Sequence, residues 1–129
     1  MKKFKIALIE DDEVLSIVMQ EELGKAGFDV LIAADGEKGI KLVKSQKPDL
    51  VLLDLMLPKK SGFEVLQELK KDPKTKNIPV VILTSLSLDE GIQKALRLGA
   101  DDYFVKSQHT SLELVEMIRN FFVGGIPPK

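Results

Sequence analysis

Cysteine is absent from this chain. That removes disulfides, thiolate zinc sites and cysteine nucleophiles together, and it fits a reducing compartment. A surplus of one charge sign is also missing: 19 Lys+Arg stand against 20 Asp+Glu, for a net charge of −1. Nucleic-acid surfaces need a basic excess, so no direct DNA binding is expected. No apolar run approaches the roughly 18–20 residues of a membrane helix. The opening Met1-Lys2-Lys3-Phe4-Lys5 is basic, but only a short apolar strand follows it. A secretory leader needs a longer apolar stretch and a small-residue cleavage site. The expectation is a cytoplasmic protein with no membrane contact. Histidine occurs once, as His109, just before the last predicted helix; we read it as a surface residue without chemistry.

The 129 residues, 44% hydrophobic and 30% charged, suffice for one packed domain. Short apolar runs alternate with segments of helical period, the signature of βα units around a parallel sheet. The pattern predicts strands near residues 4–9, 28–33, 49–53, 79–83 and 102–105. Helices are predicted near 13–26, 36–46, 62–71, 88–98 and 110–123. Phe28, Val30 and Ile32 alternate with less apolar neighbours and read as an edge strand. The third and fourth strands are apolar throughout, as strands covered on both faces must be. In the first helix Val14, Leu15, Val18 and Leu23 are assigned to the inner side, with Gln20, Glu21 and Glu22 facing water. Ser61/Glu64, Ser87/Glu90 and Thr110/Glu113 have capping-box spacing, and Asp35 can cap the second helix. Gly27 and Gly99 stand where helices stop, and Pro73 follows the end of the third. Right-handed crossovers then give a three-layer, doubly wound α/β fold. One domain is expected over 1–123, with 124–129 (Gly-Gly-Ile-Pro-Pro-Lys) as a loose tail.

Four of the apolar runs end on chemically useful residues. Ile6-Ala7-Leu8-Ile9 leads into Glu10-Asp11-Asp12, and Leu50-Val51-Leu52-Leu53 into Asp54. Val80-Val81-Ile82-Leu83 leads into Thr84, and Tyr103-Phe104-Val105 into Lys106. In open parallel sheets ligands bind beyond the carboxyl ends of the strands, so acids, a hydroxyl and an ammonium converge on one rim. Three carboxylates crowded there (Asp11, Asp12 and Asp54 in this reading) repel one another and call for a cation. All-oxygen ligands favour a hard ion, and Mg²⁺ fits.

With Glu10-Asp11-Asp12, Leu53 to Pro58 with Gly62, Leu83-Thr84-Ser85 and Gly99 to Lys106 in this order, the chain resembles the receiver domain of bacterial two-component response regulators. The likeness is strongest to the single-domain chemotaxis type, and it covers residues 4 to about 123. It implies a flavodoxin-like sheet of strand order 2-1-3-4-5, with Asp54 as phosphoacceptor. It implies Mg²⁺ on Asp12, Asp54 and the Met56 carbonyl, with Asp11 binding through water. Lys106 and Thr84 would contact the phosphoryl oxygens, and Thr84 with Tyr103 would switch the face formed by the fourth helix, fifth strand and fifth helix. The donor would be a sensor histidine kinase or a histidine phosphotransfer protein. Output would pass from a stand-alone monomer to a downstream protein, with no enzymatic turnover beyond its own phosphorylation and dephosphorylation.

Departures from the family pattern carry information. The lysine is usually followed by a cis proline; here Ser107 follows it, and a non-proline cis bond costs about 2.5–4 kcal/mol, so a trans bond is expected. Two positions that tune phosphoryl lifetime in the family hold apolar Met56 and Leu86, which cannot orient an attacking water. A comparatively long-lived phosphoryl group is expected. The check is the decay rate of labelled protein against a Met56→Asn, Leu86→Glu double variant; native decay no slower than the variant's would end the idea. Rival readings are weaker. A haloacid-dehalogenase-type phosphatase needs a second Asp two residues after its nucleophile, where Met56 stands. A flavodoxin-like cofactor carrier needs a Ser/Thr/Gly-rich phosphate cradle that the first loops do not offer. A phosphorylation-independent interaction module would have no use for the four strand-end groups.

Overall fold

A computed structural model describes residues 3–85 and 89–123. Its elements run β1 (Lys5–Ile9), α1 (Glu13–Lys25), β2 (Asp29–Ala33), α2 (Gly36–Gln46), β3 (Leu50–Leu53) and α3 (Gly62–Lys71). They continue as β4 (Val80–Thr84), α4 (Asp89–Arg97), β5 (Asp102–Val105), a 3₁₀ turn at Lys106–Gln108 and α5 (Ser111–Val123). The sheet is parallel, in the order β2-β1-β3-β4-β5. This is the doubly wound α/β architecture expected, and β2 is an edge strand as its pattern predicted.

Strand alternation divides the core in two. Ile6, Leu8, Leu50, Leu52, Val81 and Leu83 point to the face covered by Met19 and Leu23 of α1 and by Leu114, Val115 and Ile118 of α5. Ala7, Ile9, Val51, Leu53, Val80 and Ile82 point to the other face, beneath α2, α3 and Ala95 of α4. Every residue of β3 and β4 is buried, because successive side chains serve opposite faces and both faces are roofed. Burying a single leucine such as Leu52 contributes about 1.5–3 kcal/mol.

The local signals act as their chemistry demands. Ser61 and Glu64 bond reciprocally at the start of α3, and Thr110 and Glu113 do the same before α5, at 3.1 and 2.7 Å. Asp35 Oδ1 accepts from Lys38 N at 2.8 Å. Gly27 and Gly99 hold φ of 98° and 110° just past α1 and α4, a left-handed conformation that glycine adopts without Cβ strain. The Ser87 box and the tail at 124–129 lie outside the described residues.

One packing expectation is corrected. Val14 is not on the inner side of α1 but 73% exposed, and Ile17 is also exposed; the buried residues are Ser16, Met19 and Leu23. At about 100° per residue Val14 and Leu23 lie on opposite sides of the helix. Glu22 is half-buried rather than in water.

Candidate functional site

The register of the central strands builds the site. Ile6 to Ile9 pair residue for residue with Leu50 to Leu53. One step further, Glu10 and Asp54 therefore stand side by side at the same rim. Backbone bonds hold both in place: Glu10 N donates to Ala33 O and Asp54 N to Ile9 O, each at 3.0 Å. In-register neighbours on parallel strands point to the same side of a sheet, so the two carboxylates meet.

Glu10, Asp11 and Asp54 bring carboxylate oxygens within 4.8 Å of one another. The acidic pair expected at Asp11 and Asp12 is thus displaced by one residue, to Glu10 and Asp11. Asp12 does not join the cluster. Its Oδ1 accepts from Leu15 N at 3.1 Å and caps α1, the structural role that aspartate takes at a helix start. Glu10 Oε2 in turn accepts from Asp12 N at 3.0 Å.

Lys106 answers this charge from the end of β5, reaching across the end of β4. Its Nζ lies 2.5 Å from Glu10 Oε1 and 3.4 Å from Asp54 Oδ2. Asp54 is held at both oxygens, since Met56 N donates to Oδ1 at 3.2 Å. One ammonium shared among several carboxylates leaves the anions short of charge. Burial accordingly pushes the Glu10 carboxyl above its usual range, more strongly than Lys106 and the Asp12 N–H bond can lower it, and the charge of Asp54 adds to the rise. For Lys106 burial acts downward, but the hydrogen bond to Glu10 and the charge of Asp54 outweigh it and raise the ammonium. The Lys106–Ser107 bond is trans, and the chain turns away at once in the 3₁₀ turn.

The remaining predicted residues sit around this centre. Thr84 closes β4, fully buried, and is in register with Val105, the residue before Lys106. Met56 is exposed at the rim, and Tyr103 on the edge strand β5 is 39% exposed. His109 is half-buried and lies edge-on to Phe104, ring centroids 6.5 Å apart. Leu86 lies outside the described residues. Glu10 is a site residue to which the sequence assigns no role. Its signal was available: two apolar runs of four residues each, paired end to end, put the next residue of each beside the other.

The cluster fits a divalent cation by its donor chemistry. All of its donors are oxygens, three carboxylates face one ammonium, and buried Glu10 Oε1 has no hydrogen-bond partner beyond the charge contact with Lys106. Hard cations are held by such oxygen sets.

Comparison with known proteins agrees with this geometry. A family model, the response regulator receiver domain, matches residues 6–119. The chain is 44% identical over 102 residues to the DNA-binding dual master transcriptional regulator RpaA of Synechocystis sp. (strain ATCC 27184 / PCC 6803 / Kazusa), covering 79% of this chain and 42% of that protein. The chain spans less than half the length of the curated relatives it matches. Among solved structures, the Mn(2+)-bound form of response regulator Rcp1 superposes with a TM-score of 0.87 at 31% identity, over 98% of this chain and 99% of that one. The phosphorylated cyanobacterial phytochrome response regulator RcpA does so with a TM-score of 0.87 at 33% identity, over 99% and 100%. A parallel sheet in this order, a carboxylate cluster at its rim and a family match over nearly the whole chain lead to one conclusion: the chain belongs to the response regulator receiver-domain family.

Proposed function

We propose that Asp54 accepts a phosphoryl group from a phosphohistidine, on a sensor histidine kinase or a histidine phosphotransfer protein, with Mg²⁺ in the site. The observation that carries this reading is the fixed carboxylate of Asp54, buried at the end of β3 with the Lys106 ammonium 3.4 Å from Oδ2. An Asp54 oxygen forms the new bond to phosphorus as the P–N bond of the phosphohistidine breaks, and the imidazole keeps the electron pair and takes a proton. Phosphoryl transfer depends chiefly on positioning and on neutralising the equatorial oxygens. The Met56 N–H holds Asp54 Oδ1 so that the carboxylate keeps one orientation. Lys106 is within reach to follow charge from Asp54 to the phosphoryl group, and the Thr84 hydroxyl is a second donor at the neighbouring strand end.

Glu10, Asp11 and Asp54 with the Met56 carbonyl would hold the metal, which replaces the assignment to Asp12. Bound Mg²⁺ supplies positive charge to the phosphoryl oxygens. Thr84 moving toward the new phosphate would make room for Tyr103 to turn inward, and this would remodel the α4–β5–α5 face. A local charge event would thereby bias a two-state surface.

Output from a stand-alone cytoplasmic monomer through protein contacts at that face is our reading. Among the described residues, no helix is long and apolar enough to cross a membrane, and net charge −1 assigns no DNA contact to these residues. The similarity to RpaA, of which the chain covers 42%, favours a second architecture in which the same face engages an attached DNA-binding unit. The mass of the protein purified from its own cells decides between the two. The phosphoacceptor reading is tested by incubating the protein with Mg²⁺ and acetyl phosphate, or with beryllofluoride, followed by intact mass or NMR. Gain of one phosphoryl group, or Mg²⁺-dependent shifts at the Asp54 rim, is expected. An unmodified mass with acetyl phosphate together with an unchanged spectrum on adding beryllofluoride and Mg²⁺ would overturn the assignment.

A further inference from the structure

The loop between β3 and α3 leaves Asp54 and returns to it. Gly62 N donates to Leu55 O at 3.0 Å, and the Gly62 Cα lies against the Asp54 carbonyl. Near the apex of this loop Lys59 has φ of 69°, and Lys60 N donates to Pro58 O at 2.8 Å across it. That is a γ-turn with positive φ, a rare and strained conformation for a residue with a side chain. Lys47, the other non-glycine with positive φ among the described residues, merely terminates α2, an ordinary place for it.

The turn at Lys59 is clamped from outside. Gly36 N, at the start of α2, donates to Pro58 O at 3.4 Å, and a Cβ at Gly36 would fall 2.4 Å from Lys60 O. Glycine or asparagine would occupy position 59 with less strain. A lysine there needs a reason, and its side chain offers one. Lys60 pairs with Glu68 at 3.5 Å, whereas exposed Lys59 has no ion pair among the described residues. The rim of the Asp54 loop carries three carboxylates against one ammonium, so that with Mg²⁺ bound it is close to neutral and offers an incoming phosphoryl dianion no surplus of positive charge.

We infer that Lys59 is a positioning residue for the phosphodonor: its ammonium, carried on the turn of the Asp54 loop, draws the donor's phosphoryl dianion to a rim whose carboxylates already take up the charge of Lys106 and of Mg²⁺. The inference rests on Asp54 being the phosphoacceptor. It makes two demands of opposite sign. Losing the charge slows capture of an anion, and it strengthens capture of a cation at the same carboxylates. A merely structural lysine would weaken both together.

The test compares the native protein, Lys59→Asn, which tolerates positive φ without charge, and Lys59→Arg, which keeps the charge. The second-order rate constant with acetyl phosphate at saturating Mg²⁺ is read by intact mass, and Mg²⁺ affinity is read separately by NMR titration. At low salt Lys59→Asn is expected to be about fourfold slower and Lys59→Arg close to native. The gap should close near 1 M salt, where the screening length is only about 3 Å. Mg²⁺ should bind Lys59→Asn more tightly than the native protein. Equal rates at low salt, a loss that persists at high salt, an equal loss in Lys59→Arg, or weaker Mg²⁺ binding would each overturn the inference. A native protein that takes up no phosphoryl group would overturn the Asp54 reading instead, and this proposal with it.

Discussion

Asp54→Ala is expected to abolish phosphoryl uptake from acetyl phosphate and, at the same time, to stabilise the metal-free fold by about 1 kcal/mol. The first effect follows from removal of the proposed acceptor, a carboxylate oriented at one oxygen by Met56 N and at the other by Lys106. The second follows from the charge balance at the rim. Glu10, Asp11 and Asp54 crowd together, and removing one carboxylate relieves repulsion. It does not strand Lys106, whose Nζ keeps Glu10 at 2.5 Å. Mg²⁺ should raise the melting temperature of the native protein, because a ligand that binds only the folded state stabilises it by mass action. That increment should shrink toward zero in the variant. Intact mass, chemical denaturation and thermal scans with and without Mg²⁺ give the three readings. Modification that survives loss of Asp54 would remove the basis of the proposed function, and a fall in metal-free stability would show that the carboxylate is net favourable where it stands.

Gly62→Ala should cost about 3 kcal/mol, the upper end for forcing extra volume into a packed site. An added Cβ would sit 2.3 Å from Asp54 O and 2.5 Å from Leu55 Cα. Both are backbone atoms that cannot swing aside, and α3 would have to lift from the end of β3. The glycine is needed for space and not for its dihedral angles, since its φ is not positive. Gly91→Ala is the internal control. In α4 the nearest atom to an added Cβ is Phe63 Cζ at 3.8 Å, an ordinary contact. There alanine should stabilise by about 0.5–1 kcal/mol through helix propensity alone. Urea denaturation separates the two cases. A Gly62→Ala loss below about 1 kcal/mol would mean that α3 shifts cheaply, and the close approach could not then be what fixes the loop around Asp54.

The contrast between these glycines shows where sequence reading stops. Both are single glycines near the first turn of a predicted helix, and although the family resemblance takes in Gly62, no flanking residue shows why a side chain is excluded there. The difference lies in what stands opposite: the Asp54 and Leu55 backbone just past β3 in one case, open space bounded by a phenyl ring in the other. Lys59 poses the same difficulty. Its positive φ comes from a turn clamped by α2, and a Lys-Lys pair carries no mark of that. Val14 differs for a simpler reason: nine residues at about 100° each set it half a turn away from Leu23, on the outer side of α1.

By itself, the sequence determined the order of elements, the strand ends and the cast of the site. Apolar runs long enough for a strand but too short for a helix, broken by capping signals, admit little besides alternating βα units. Asp54, Thr84 and Lys106 follow such runs directly. What only the tertiary structure decided was which of three consecutive acids turn into the rim. Composition cannot distinguish Glu10, Asp11 and Asp12, all ionisable and all adjacent. The register of β1 against β3 can, because it sets Glu10 beside Asp54 and carries the chain into α1 at Asp12, where an unpaired helix N–H claims the carboxylate first.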